Sequence, residues 1–141
     1  MIQIQNCCQI SPFIFIINIL FGFYCNYILY GMLFLCLLIT SVFYHTYYID
    51  FTYIIDKVSI LYVTLYGGML FYQKIIDMNY TFISILMMIL VILTFLSVFY
   101  LYYYGYMIDY YCFHKDIIIA YKYHSYIHYI SSFSHTLIML L

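Results

Sequence analysis

Long apolar runs separated by short polar stretches follow one another along this chain. The runs cover residues about 10–25, 27–47, 53–73, 80–105 and 117–141. A helix that crosses a bilayer needs about 20 mostly apolar residues. The pattern therefore predicts five transmembrane helices, the first of them short, within one domain that covers residues 1–141.

The composition supports a membrane protein and argues against a soluble one. Hydrophobic residues make up 69% of the 141 positions and charged residues only 6%, whereas soluble domains carry roughly 25% charged residues. The net charge of −1 leaves no basic surface of the kind that binds nucleic acid. The predicted fold class is all-α, a polytopic transmembrane helix bundle of about five spans.

Several local signals mark where helices begin and pack. Ser11 is a candidate N-cap with Pro12 at the first helical position, and Asp116 is a candidate N-cap for the last helix. Gly67 and Gly68 favour close helix packing in the third span. The first ten residues lack a charged n-region, so no cleavable signal peptide is expected.

The five cysteines show no metal-ligand spacing and are interpreted as small packing residues. They are Cys7, Cys8, Cys25, Cys36 and Cys112.

The candidate chemistry lies in a few polar residues inside these apolar runs. Ser41 and His45 are four residues apart near the end of the second span, as are His124 and His128 in the last. Residues four apart share one face of a helix. Ionisable groups inside a membrane are costly and need partners. One metal ion bound by the three histidines would satisfy all three, and three histidines with an open fourth position are typical of catalytic zinc.

The order of the spans places these residues at one depth. The second span ends on the face where the third begins, and His45 and Asp56 lie on either side of that turn. The fourth span returns to this face, so the last span starts there with His124 and His128. Many tyrosines near these helix ends resemble an interfacial aromatic belt. The predicted site therefore lies in one leaflet, at headgroup depth. The last span is expected to turn its histidine face into the bundle and to pack on the second and third spans.

The three motifs together resemble the CREST superfamily. This group includes the alkaline ceramidases, the progestin and adipoQ receptors and the membrane proteins that remodel GPI anchors. The spacing from His45 to Asp56 is similar to that of the ceramidase branch. The blocks 40–45, 55–68 and 121–135 also resemble short membrane proteins encoded by giant DNA viruses. The resemblance implies a shortened version of a seven-span bundle.

The resemblance also implies a function, a zinc-dependent intramembrane hydrolase acting on a lipid amide or ester, with a ceramide-like amide as the default substrate. His45, His124 and His128 would hold Zn²⁺. Asp56 would be the general acid/base, and Ser41 would donate a hydrogen bond to the developing oxyanion. Residues 1–24 contain no acidic side chain, so no calcium site is expected. The chain would be a multi-pass protein of a host endomembrane, or of a virion membrane if it is viral.

Plainer interpretations of the same residues remain open. Asp56 would be ion-paired with Lys122 or solvated, and Ser41 would bond the carbonyl of Leu37. His135 lies about 10 Å beyond His128 along the helix, too far to share its metal, and is expected to bond a neighbouring helix.

Ser131 and Ser132 lie one turn beyond His128 in the sequence. They would either orient that imidazole or take part in interhelical packing, and packing is the preferred interpretation.

Two other functions are compatible with the sequence. One is a small haem-binding subunit of an electron-transfer complex, with His45 and either His128 or His135 as axial ligands. The other is a non-enzymatic receptor, scaffold or fusion protein with the same fold. The sequence does not determine the substrate, the membrane, its orientation or the oligomeric state.

Overall fold

The computed structural model describes residues 9–77 and 79–141, in which five helices and no strand are found. Cys7 and Cys8 lie outside these ranges. The helices are α1 (Phe15–Tyr24), preceded by a 3₁₀ turn (Ser11–Ile14), α2 (Ile28–Tyr47), α3 (Asp50–Asp77), α4 (Phe82–Phe99) and α5 (Ile117–Leu140). The predicted all-α bundle is confirmed.

Three helical stretches are long and apolar enough to cross a membrane. They are Ile28–Tyr47, Asp50–Asp77 and Phe82–Phe113. The apolar stretch Ser11–Tyr24 is shorter, and α5 carries a polar face. The structure thus supports a membrane protein, while five crossings remain a prediction.

The turn between α2 and α3 is tighter than the sequence predicted, because α3 begins at Asp50. Tyr48 ends α2 in the left-handed conformation, with φ at 46°. The Thr52 hydroxyl donates to the Ile49 carbonyl at 2.8 Å and accepts from the Ile49 amide at 3.3 Å. The second bond satisfies the Ile49 amide, which the first turn of α3 would leave unpaired, and the reversal needs only residues 48 and 49.

The helix that starts with α4 continues past its predicted end at residue 105. A π-helical turn (Tyr100–Tyr104) and a short α-helical turn (Gly105–Met107) extend it. A 3₁₀ turn (Tyr111–Phe113) then leads toward α5. The π turn changes the helical register, and turns of this kind occur frequently at functional sites.

The helices α1 and α2 form a hairpin with a close backbone crossing. A Cβ atom added at Gly22 would lie 2.7 Å from the Cα atom of Gly31, so only glycine allows this approach. Pro12 occupies the first turn as predicted, but Ser11 is the first residue of that turn and Ile10 holds the N-cap position. The expected N-cap is therefore wrong, and the Ser11 side chain has a different partner, described below.

The last helix turns its polar face into the bundle. Its N-cap is Asp116, as predicted, whose carboxylate accepts from the Ile118 amide at 2.9 Å. Its buried side chains include three serines and two histidines, Ser125, His128, Ser132, Ser134 and His135. The backbone of α5 packs most closely on α4 and α1, whereas α2 reaches it through side chains. We expected α2 and α3 as its main neighbours; large aromatic and imidazole rings fill the space between α2 and α5 instead.

Candidate metal centre

Three histidines from two helices meet at one point in the bundle. The last turn of α2 supplies His45, and the first half of α5 supplies His124 and His128. The imidazole centroids are 5.0 Å apart for His45 and His124, 5.5 Å for His45 and His128, and 5.0 Å for His124 and His128. The predicted convergence of these residues is confirmed.

The donor atoms fit a metal ion. One nitrogen from each imidazole lies within 4.8 Å of the other two. A tetrahedral zinc ion would hold such nitrogens about 3.4 Å apart, given zinc–nitrogen bonds of about 2.0–2.1 Å. Small ring rotations therefore separate this arrangement from a coordinating one. Among the residues that the structure describes, no fourth histidine, cysteine or carboxylate joins the group, so one coordination position would remain open.

The environment of His45 adds a second reason to expect a ligand. The residue is 3% exposed, and neither ring nitrogen has a hydrogen-bond partner among the described residues. A buried polar atom without a partner costs about 1–3 kcal/mol. Metal coordination would remove that cost for one of the two nitrogens.

The His128 imidazole is held by the segment that precedes α1. The Ser11 hydroxyl and Nδ1 of His128 are 2.7 Å apart and hydrogen-bonded, and both residues are buried. The Phe15 ring packs against the same imidazole at 5.5 Å. We did not foresee this contact from the sequence, because a serine before a proline resembles a helix cap and carries no sign of a partner 117 residues away.

The predicted catalytic pair, Asp56 and Ser41, is also brought together. Asp56 is 2% exposed, and its Oδ2 atom is paired with the Lys57 ammonium at 3.2 Å. The Ser41 hydroxyl is close enough to interact with the carboxylate, although Oδ1 has no partner of good geometry among the described residues. The carbonyl of Leu37 accepts from Thr40. Neither of the plainer alternatives, an ion pair of Asp56 with Lys122 or a bond from Ser41 to the Leu37 carbonyl, is observed among the described residues.

Lys57 connects the carboxylate to the rest of the site. Its ammonium lies 5.3 to 5.7 Å from the centroids of three tyrosine rings, Tyr44, Tyr53 and Tyr102. These rings come from α2, α3 and the π turn after α4. The Tyr44 ring in turn contacts His45 at 5.0 Å. Lys57 also interacts electrostatically with the three imidazoles. The sequence did not single it out, because a lysine beside an aspartate is common at a helix end.

Two further polar residues of α5, His135 and Ser132, bond neighbouring helices. His135 is hydrogen-bonded through Nδ1 to the Tyr30 hydroxyl of α2, as expected for a residue too distant for the shared site. Ser132 donates to the side-chain carbonyl of Asn18 at 2.6 Å. The expected interhelical role of Ser132 is thus confirmed.

The arrangement favours a single ion over a haem. Two axial imidazoles must lie on opposite faces of the haem, with only the macrocycle and its iron between them. Here the His124 ring is 5.0 Å from both other rings, in the space that a macrocycle would need. The other possible axial ligand, His135, already bonds Tyr30.

Comparison of the chain with known proteins finds no relative. No protein-family model matches the chain, and neither curated proteins nor solved structures include a significant match to it.

Proposed function

We propose that the chain is a multi-pass membrane protein that binds Zn²⁺ through His45, His124 and His128 and hydrolyses an amide or ester bond of a membrane lipid. The observation that carries the proposal is the meeting of three imidazole nitrogens, one from each histidine, within 4.8 Å of one another inside a bundle of apolar helices. Burying such polar groups in a membrane is costly, and those that occur there usually have partners and a function. The two helices involved, α2 and α5, are far apart in the sequence, so proximity along the chain does not account for the meeting.

Each side chain has a distinct part in this proposal. Zinc bound in such a site lowers the pKa of water and polarises a carbonyl group. The three histidines hold the ion and leave one position open. Asp56 receives and returns a proton through its unpartnered Oδ1 atom, while Lys57 holds Oδ2 in place. Ser41 orients this carboxylate or donates to the carbonyl oxygen of the substrate.

A lipid substrate agrees with an apolar groove elsewhere on the bundle. An apolar groove of about 380 Å³ lies between α3 and α4, lined by Phe71, Ile92, Phe95, Leu96 and Phe99. A hydrocarbon chain could lie in this groove, because its lining side chains are apolar and form no hydrogen bonds. The amide as preferred linkage rests on the ceramidase-like motif alone.

Metal analysis and a lipid assay on the purified full chain test the proposal. We expect about one Zn²⁺ per chain and zinc-dependent release of fatty acid from a labelled ceramide or from a labelled ester lipid. His45→Ala, His124→Ala and His128→Ala should each lose the metal and the activity together. His114→Ala is the matched control, because His114 lies in the loop before α5 and bonds the Asp116 amide.

The outcomes separate the alternatives. A protein that binds zinc through these histidines but hydrolyses neither lipid would support the receptor, scaffold or fusion function. A protein that binds no zinc, or binds it equally well without the three histidines, would refute the proposed site.

A further inference from the structure

The first described residues form part of the wall of the histidine cluster. Ser11 is 1% exposed, and its hydroxyl is 2.7 Å from Nδ1 of His128. The neighbouring Phe15 ring covers the same imidazole. The ring of His128 is therefore held by one hydrogen bond from the turn before α1 and one aromatic contact from the first residue of α1.

The position of this segment is itself fixed by polar contacts deeper in the bundle. The Asn18 amide donates to the Ser132 carbonyl at 2.8 Å and to the Thr136 hydroxyl at 3.0 Å. Ser132 donates back to Asn18 at 2.6 Å. Buried hydrogen bonds of this kind contribute to the register of one helix against another, and here they support the placement of Ser11 beside His128.

A neutral imidazole carries its proton on only one ring nitrogen, and the other nitrogen has the lone pair that binds a metal. Histidine ligands usually donate the remaining N–H to a nearby oxygen, which sets the tautomer and the ring orientation. With Nδ1 of His128 directed to Ser11, only Nε2 is left to face His45 and His124.

We propose that Ser11 is a positioning residue of the metal centre. Its hydroxyl oxygen accepts a hydrogen bond from Nδ1–H of His128 and thereby keeps Nε2 unprotonated and turned toward the other two imidazoles. The inference rests on the proposed metal site. It adds a third structural element, the α1 segment, to a centre whose ligands come from α2 and α5.

Zinc affinity of the full chain, measured by competition with a chromogenic chelator, tests this role. Loss of such an outer partner typically weakens metal binding about 10- to 100-fold, and we expect this for Ser11→Ala. Ser11→Thr retains the hydroxyl and should recover most of the affinity. Ser97→Ala is a matched serine control, because Ser97 bonds the Leu93 carbonyl of its own helix.

A second variant separates the hydrogen bond from the docking of α1. Asn18→Ala removes the deeper contacts but keeps the Ser11 hydroxyl and the Phe15 ring, so it should weaken zinc binding less than Ser11→Ala does. Equal affinity of Ser11→Ala and the wild type would overturn the proposal. So would a loss in Asn18→Ala as large as that in Ser11→Ala.

A measurement without metal keeps this inference distinct from the proposed function. In the metal-free wild type, ¹⁵N NMR of the histidine rings should show His128 as the Nδ1–H tautomer, and Ser11→Ala should lose this preference. A wild type that binds no zinc but shows the Ser11-dependent tautomer would refute the function and retain the positioning role. A wild-type His128 in the Nε2–H tautomer would refute the positioning role itself.

Discussion

At the scale of single residues, Asp56 and Ser41 have separable effects on the proposed reaction. Asp56→Asn preserves the size of the side chain but cannot accept a proton. It should retain zinc and lose roughly 10²–10⁴ in turnover rate, the usual share of general acid–base catalysis. Ser41→Ala should also retain zinc and lose about 10²–10³, the cost of one oxyanion donor.

Lipid hydrolysis and zinc content, measured on the same preparations, check both expectations. Full activity in Asp56→Asn would make Asp56 a structural partner of Lys57, and the proton acceptor would have to be sought elsewhere.

A further prediction at the residue scale concerns the contribution of Lys57 to stability. Lys57→Met keeps the length of the side chain but leaves the buried Asp56 carboxylate without its ion-pair partner. A buried polar group that loses its partner costs about 1–3 kcal/mol, so the midpoint of thermal unfolding in detergent should fall.

The double variant Lys57→Met/Asp56→Asn is the control for this effect. Because it removes both charges, it should recover part of the stability, and the double-mutant cycle gives the coupling. An unfolding midpoint that Lys57→Met leaves unchanged would show that the ion pair contributes nothing.

At the scale of helices, two adjacent glycines of α3 have different surroundings, although the sequence predicted close helix packing at both. A Cβ atom at Gly67 would meet the Tyr30 hydroxyl and would lie 2.8 Å from Nδ1 of His135, whereas one at Gly68 would meet nothing within 4 Å. Gly67→Ala should therefore disturb the buried Tyr30–His135 bond and cost about 1–3 kcal/mol, as overpacking does. Gly68→Ala should be neutral or stabilising by up to about 1 kcal/mol through helix propensity.

Thermal unfolding of both variants, made in parallel, gives this comparison directly. The prediction is contradicted if the two alanines have the same effect, since α3 would then not approach α2 and α5 closely at Gly67.

At the scale of the whole molecule, the arrangement of helices predicts which loops share a side of the membrane. The histidine cluster lies at the end where α2 passes into α3 and where α5 begins. Gln9 is also at this end, because its amide donates to the His45 carbonyl at 3.3 Å. Five crossings therefore place Gln9 and Lys115 on one side, and Cys25 and Asn79 on the other.

Labelling with a membrane-impermeant maleimide in sealed vesicles tests this topology. Single cysteines introduced as Gln9→Cys and Lys115→Cys, in a chain without the native cysteines, should react from one face. Native Cys25 alone and Asn79→Cys should react from the opposite face. Reaction of Gln9→Cys from the same face as Cys25 would show that α1 does not cross, and the bundle would have four spans.

Local features of the chain were sufficient to predict most helices and the meeting of the three histidines. An apolar run of about 20 residues specifies a helix whatever surrounds it, so α2 was predicted within one residue of Ile28–Tyr47. The i, i+4 spacing placed His124 and His128 on one face, and the alternation of spans placed His45 at the same end. Asp116 as N-cap of α5 also depends only on neighbouring residues.

Contacts between distant residues were decided only by the tertiary structure. Whether Lys57 or Lys122 would pair with Asp56 depends on rotamers and on the three tyrosine rings around the ammonium. The bond between Ser11 and His128, the difference between Gly67 and Gly68 and the packing of α5 on α4 and α1 depend on which helices are neighbours. In a chain that is 69% hydrophobic, nearly every helix face is apolar enough to contact any other. The fit between side chains and a few buried hydrogen bonds therefore determine which helices pack together. Neither can be read from the spacing of residues along the chain.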